Sequence, residues 1–336
     1  MWIHSLSMEA LENVWLHLGD PHHTVQSWGS IPGKFEPREV PAGVLQDGGM
    51  VVRLLCAGGF SGDGLERLPD GGVWEVVSTQ EKTRYVLGQR LWLNPKPPCG
   101  ICPACLAGCA RSCVDAGRPT SGPGWMSSPR MLHPWAVRRG VVPVPATVAP
   151  ESFSWILPMA RALRVRRTVA KRERVVVVGS GVQALAMGIA LQGPGNRILL
   201  DPTKELALLG PLGFQQVVGE ASGLAEIFPE GTDLVVVTES SPVVADALRC
   251  LGWGGVVVRL DSPGEGECFA SPDKEPTWIH QRSVSGEDLV AAVSRIAEVS
   301  GFLERIPRTV VGPEALPHLD RFTSLWTVVE ACAPSY

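Results

Sequence analysis

Val175-Val176-Val177-Val178-Gly179-Ser180-Gly181-Val182-Gln183-Ala184 decides the fold of this chain. Four β-branched residues in a row suit a strand buried on both faces, because each side chain must pack whichever way it points. The strand runs into G-x-G-x-x-A. Gly179 permits a tight turn, Gly181 lets the backbone approach a ligand closely, and the small Ala184 lets a helix pack on the strand. Val182, Leu185 and Ile189 then recur at helical spacing. Strand, turn and helix in this order form a dinucleotide-binding unit whose helix N-terminus attracts a pyrophosphate. A tight strand-to-helix turn with no ligand is the other reading of the same residues.

The next segment favours a ligand. Arg197-Ile198-Leu199-Leu200-Asp201 is a second short strand ending in an acid, at the distance a ribose-binding carboxylate occupies. Asp201 would accept hydrogen bonds from the adenosine ribose and repel a 2′-phosphate, favouring NAD over NADP. Lys204 is close enough in sequence to soften that preference and leaves NADP open. The candidate cofactor-binding set is Gly179, Gly181, Val182, Ala184, Asp201 and Lys204. Further strands are expected at 216–218, 233–237 and 255–258, with a helix over Val243 to Leu251. Ser285 can cap a last helix, with Asp288 three positions on and Leu289, Val293 and Ile296 on its inner face. Alternating strands and helices give an α/β domain with a doubly wound parallel sheet.

The first half has a different texture. It is rich in Gly and Pro and carries short strand-like pieces at 50–55 and 73–77, as in an all-β unit with long loops. The boundary is expected near Pro150. Residues beyond Gly301 read as extended again around Thr309-Val310-Val311, and are expected to return to the first domain.

Within that half, Cys99, Cys102, Cys105 and Cys113 are spaced C-x2-C-x2-C-x7-C. Four thiolates brought to one point by tight turns suit a tetrahedral zinc with no open position. Such a site closes a loop and takes no part in chemistry. Cys109 offers a rival grouping, C-x2-C-x2-C-x3-C, which is ferredoxin-type spacing. The proline that follows the last cysteine in that pattern is here Ala110, and no second cysteine motif is present.

Bulk properties narrow the function classes. The chain has 336 residues, 45 % hydrophobic and 19 % charged, so two domains with real cores are expected. A net charge of −4 gives no reason to invoke nucleic acid or an anionic membrane. No apolar run reaches the length of a membrane span, and the first residues lack the pattern of a signal peptide. Nine cysteines, four of them clustered, suit a reducing compartment, so a cytoplasmic protein is expected. The preference for Arg over Lys hints at a GC-rich bacterial genome.

The cysteine lobe and the glycine turn together resemble the zinc-containing, medium-chain alcohol dehydrogenase superfamily, which includes sorbitol and threonine dehydrogenases. The resemblance runs over nearly the whole chain from Val14. The phrase Cys99-Gly100-x-Cys102-x-x-Cys105-x-x-Gly108 through Cys113 is similar to the structural-zinc lobe of that family. Val141-Val142-Pro143-Val144-Pro145 resembles its last β-domain strand, and Ala160-Arg161-Ala162-Leu163 resembles the helix leading into the nucleotide domain. The resemblance implies a GroES-like β domain at 1–150 with its zinc lobe at 95–115. It also implies a Rossmann domain at 151–301 that binds NAD(P), and a return segment at 302–336. One structural zinc per chain, a small-molecule substrate and a homodimer or homotetramer are further implications.

The catalytic phrases depart from that family. Its first catalytic zinc ligand is a cysteine, and the matching stretch Ala57-Gly58-Gly59-Phe60-Ser61-Gly62-Asp63 has Phe60 there and Gly62 at the proton-relay position. Its second ligand is a histidine, and none occurs in 66–72. At the third ligand position stands Leu157. Phenylalanine and leucine offer zinc no donor atom. Cys56 reads as a core residue, His133 as a loop histidine, and Ser61, Asp63 and Asp70 are polar groups left in the neighbourhood. Ser61 and Asp63 are the candidate catalytic residues. The basic run Arg161, Arg164, Arg166, Arg167, Lys171, Arg172 and Arg174 reads as a solvated helix face and linker. Two function classes follow. One is a nicotinamide-dependent oxidoreductase acting on a carbonyl, alcohol or enone without a catalytic zinc. The other is a catalytically retired homologue serving as a binding or scaffold protein.

Overall fold

The computed structural model describes residues 24–31, 34–41, 47–60, 72–80, 83–94, 102–106, 113, 130–132, 134, 137, 140–169, 172–179, 181–193, 197–200, 214–217, 224–238, 243–260, 275–281, 284–306, 308–312 and 327–330. The chain divides into two units. One comprises Met1–Ile156 with Ile296–Tyr336, and the other Leu157–Arg295.

The first unit is built on antiparallel strands. β1 (Thr24–Ile31) and β2 (Lys34–Pro41) form a hairpin of their own. The main sheet contains β3 (Met50–Phe60), β4 (Gly72–Thr79), β5 (Arg90–Leu93), β6 (Arg130–Leu132) and β7 (Val141–Pro143). Period-two patterning explains its core: Met50, Val52 and Leu54 from β3 meet Trp74 and Val76 from β4 and Leu91 and Leu93 from β5. Register shifts beside Val52 and Cys56 show that β3 is bulged, and bulges bend a strand so that a sheet can curl. A short helix, α1 (Pro103–Leu106), lies in the cysteine lobe.

The second unit follows a 3₁₀ turn at Pro150–Trp155 and opens with α2 (Ile156–Thr168). Its strands are β8 (Val175–Val178), β9 (Arg197–Leu200), β10 (Phe214–Val217), β11 (Thr232–Val237), β12 (Leu251–Arg259) and β13 (Thr277–His280). They form one parallel sheet in the order β10-β9-β8-β11-β12-β13. Counted from β8 this is the 3-2-1-4-5-6 order of a doubly wound dinucleotide-binding sheet, whose ligand crevice lies at the carboxyl end of the first strand. The helices are α3 (Gly181–Ala190), α4 (Leu224–Ile227) and α5 (Val244–Arg249), and α6 (Gly286–Leu303) begins in this unit. All four valines of β8 are at most 1 % exposed, as a strand covered on both sides requires.

The last segment returns to the first unit. β14 (Thr309–Val311) pairs with β15 (Thr327–Glu330), and β15 pairs antiparallel with β3. Two expectations need correcting. The helix expected over Val243 to Leu251 ends at Arg249, because Leu251 is taken into β12 and pairs with Thr232. Gly231, at φ +82, fits there because a Cβ would come within 2.6 Å of the Gly252 backbone. The basic run is not simply a solvated face. Arg164 and Arg167 both reach the fully buried Asp288, and Arg174 reaches Asp233 and Glu230.

Candidate functional site

The candidate site begins where β8 ends. Gly179 has φ +124 and Gly181 φ +73, conformations that side chains disfavour. A Cβ built on Gly181 would meet nothing within 4 Å, so the backbone there is open to a ligand. Val182 is 7 % exposed and Ala184 fully buried, which lets α3 pack tightly on the sheet. The end of β11 is clamped to β8: the Thr238 amide and Oγ both donate to the Val178 carbonyl, at 2.9 and 3.1 Å. The strand ends flanking the turn are therefore rigidly registered.

No motif in the sequence marks what holds α2 beside this turn. Gln183 lies in the first turn of α3, and its Nε2 donates to the Pro158 carbonyl at 3.1 Å. Arg161 Nη1 donates to Gln183 Oε1 at 3.5 Å. From the far side, Gln281 follows β13, is 6 % exposed, and donates through Nε2 to the Arg161 carbonyl at 3.2 Å. Its backbone amide continues the sheet by donating to the Arg259 carbonyl. Neither glutamine stands out in the sequence, since any residue satisfies the motif at position 183.

In the cysteine lobe, the sulfurs of Cys102, Cys105 and Cys113 all lie within 4.8 Å of one another. Cys113 is buried and the other two are half-buried. Zinc–sulfur bonds of about 2.3 Å in a tetrahedron imply sulfurs about 3.8 Å apart, so this grouping is compact enough to share one ion. Cys99 and Cys109 lie outside the described residues, as do Ser61, Asp63, Asp70, His133, Asp201 and Lys204. Phe60 is the last residue of β3 and pairs with Thr327. Leu157 is half-buried in the first turn of α2, and Cys56 is buried within β3.

No protein-family model and no curated protein matches the chain. Solved structures do. An alcohol dehydrogenase from Thermotoga maritima superposes with a TM-score of 0.77 at 16 % identity, over 92 % of this chain and 99 % of that one. L-idonate 5-dehydrogenase from Escherichia coli gives 0.74 at 18 %, over 92 % and 98 %. The chain shares the fold of these dehydrogenases. A short chain alcohol dehydrogenase from Escherichia coli, complexed with NADH, gives 0.73 at 17 % over 91 % and 99 %. The GroES-like and Rossmann architecture expected from the sequence is thus the architecture found. Among the described residues, no helix is long and apolar enough to cross a membrane.

Proposed function

We propose that this chain is a nicotinamide-dependent oxidoreductase that transfers hydride to or from a small carbonyl, alcohol or enone without a catalytic zinc. One observation carries the reading: the open Gly179–Gly181 turn sits at the carboxyl end of the first strand of a 3-2-1-4-5-6 sheet. That geometry fits a dinucleotide, because a side chain at Gly181 would fill space a pyrophosphate needs. Bound nicotinamide would supply or accept the hydride. The chain would hold the phosphates against the first amides of α3, while Asp201 selects NAD and Lys204 leaves NADP in reach. Residues 151–301 carry the cofactor in this reading. Residues 1–150 with 302–336 carry the substrate side, where Ser61 and Asp63 are assigned the polar contacts to the reacting oxygen. The setting proposed is a cytoplasmic homodimer or homotetramer.

One zinc per chain belongs to this reading, held by Cys99, Cys102, Cys105 and Cys113. The compact sulfurs of three of them support it. Four thiolates leave no open position, so the metal would close the 95–115 lobe and stay out of hydride transfer. The absence of donor atoms at Phe60 and Leu157 supports a cleft without a second zinc. The same loss favours a second reading, a retired homologue that binds partners and turns nothing over.

Calorimetric titration separates the two. The oxidoreductase reading expects NADH to bind, and more tightly than NADPH. Failure of both to bind would leave the scaffold protein as the better account.

A further inference from the structure

The sheet order gives the crevice two ends. β9 and β10 lie on one side of β8, and β11, β12 and β13 on the other. The adenosine half of a dinucleotide belongs on the β9 side, so its reactive half belongs on the side of β11 to β13. The backbone of Arg161 is tied to that reactive side. Its carbonyl is held at 3.2 Å by Gln281, just beyond β13, and its guanidinium lies 3.5 Å from Gln183 in the first turn of α3. The residue is half-buried.

Three neighbouring arginines have acidic partners. Arg164 and Arg167 share Asp288, and Arg174 meets Asp233 and Glu230. Among the described residues, Arg161 meets no carboxylate; its side-chain hydrogen bond goes to the neutral amide of Gln183. We infer that Arg161 makes the reactive end of the crevice cationic, so that the site prefers NADH to NAD⁺ and takes a substrate with a carboxylate beside its carbonyl. This rests on the dinucleotide reading and adds a direction and a substrate class to it.

The nicotinamide ring is positively charged in NAD⁺ and neutral in NADH. A guanidinium keeps its charge throughout the physiological range, so it repels only the oxidised ring. Partial burial strengthens that repulsion relative to water. The planar fork of donors also matches a carboxylate with two parallel hydrogen bonds. In the favoured direction a C–H bond of NADH breaks and its electron pair forms a C–H bond at the carbonyl carbon. The carbonyl oxygen takes a proton from water, and NAD⁺ leaves.

The test is calorimetry on the full chain, as wild type, Arg161→Gln and Arg161→Lys, with NADH, NAD⁺, and oxalate added to the NADH complex. The wild type should prefer NADH, and Arg161→Gln should shrink that preference roughly five- to tenfold. Arg161→Lys, which keeps the charge, should retain it. Oxalate should bind the wild-type NADH complex and be weakened by Arg161→Gln. A purely structural Arg161 would shift both nucleotides alike. A preference unchanged by Arg161→Gln, or oxalate binding that the substitution does not weaken, overturns the inference. Wild type that binds neither nucleotide refutes the dinucleotide reading itself, and this inference with it.

Discussion

Arg164 Nη1 lies 3.3 Å from Asp288 Oδ2, joining α2 to the start of α6 across 124 positions of sequence. The same carboxylate oxygen accepts from the Ser285 amide and hydroxyl at 2.7 and 2.8 Å, and the Ser285 Oγ accepts from the Asp288 amide. A reciprocal helix cap and an ion pair thus share one fully buried acid.

Removing that acid strands two arginines and opens the cap. Asp288→Ala should destabilise the chain by about 2–4 kcal/mol, combining a lost cap with a broken buried ion pair. Urea denaturation at neutral pH measures it. A loss below about 0.5 kcal/mol, the size of an ordinary surface substitution, would mean that the pairing contributes little.

Asp233 gives a pH signature. Burial pushes its carboxyl up, but the Arg174 guanidinium hydrogen bonds, the Arg174 and Glu173 amides and the Arg174 charge together hold it below its ordinary value of 3.8. A depressed carboxyl stabilises the fold above the unfolded value and loses that contribution as pH falls through the folded one. The stability gap between wild type and Asp233→Asn should therefore be constant from neutral pH to just above 3.8 and close below it. A gap that widened on acidification would contradict the sign.

Most of the second unit was legible because its signals are local. A run of valines, a glycine turn and the Ser285–Asp288 cap each carry their meaning within a few residues. What was not legible depends on distant partners. β15 is a short segment that becomes a strand by pairing with β3, more than half the chain away. Leu251 ends a helix pattern only because β11 recruits it. The arginines of α2 read as surface charge until Asp288 meets two of them. In the turn after β8, Gly179 and Gly181 have the left-handed backbone that the glycine motif calls for, while the glutamines that seat α2 have no pattern that marks them.

Gly181 is the most direct lever on the crevice. Gly181→Leu forces a branched side chain into φ +73 and into space the pyrophosphate would fill. NADH binding should fall at least a hundredfold, while the melting temperature drops by only a few degrees, as expected for about 1–2 kcal/mol of backbone strain. Retained NADH affinity in a folded variant would place the nucleotide elsewhere.

For the cysteine lobe, elemental analysis should find one zinc and no iron per chain. Cys105→Ser should lower the zinc content and the yield of folded protein, since a structural zinc can contribute on the order of 10 kcal/mol of apparent binding energy. Cys109→Ala should change neither. Iron in the protein, or metal loss on Cys109→Ala, would assign the fourth ligand to Cys109.

Hydride transfer without a catalytic zinc can be read from turnover itself. Its most direct measurement is NADH oxidation over a panel of 2-oxo acids, ketones and enones, using protein exposed to a chelator mild enough to leave the lobe zinc in place. Turnover that the chelator does not diminish is expected, with simple alcohols poor substrates in the reverse direction. Brisk alcohol oxidation abolished by the chelator, or no turnover of any carbonyl by protein that binds NADH, would contradict it.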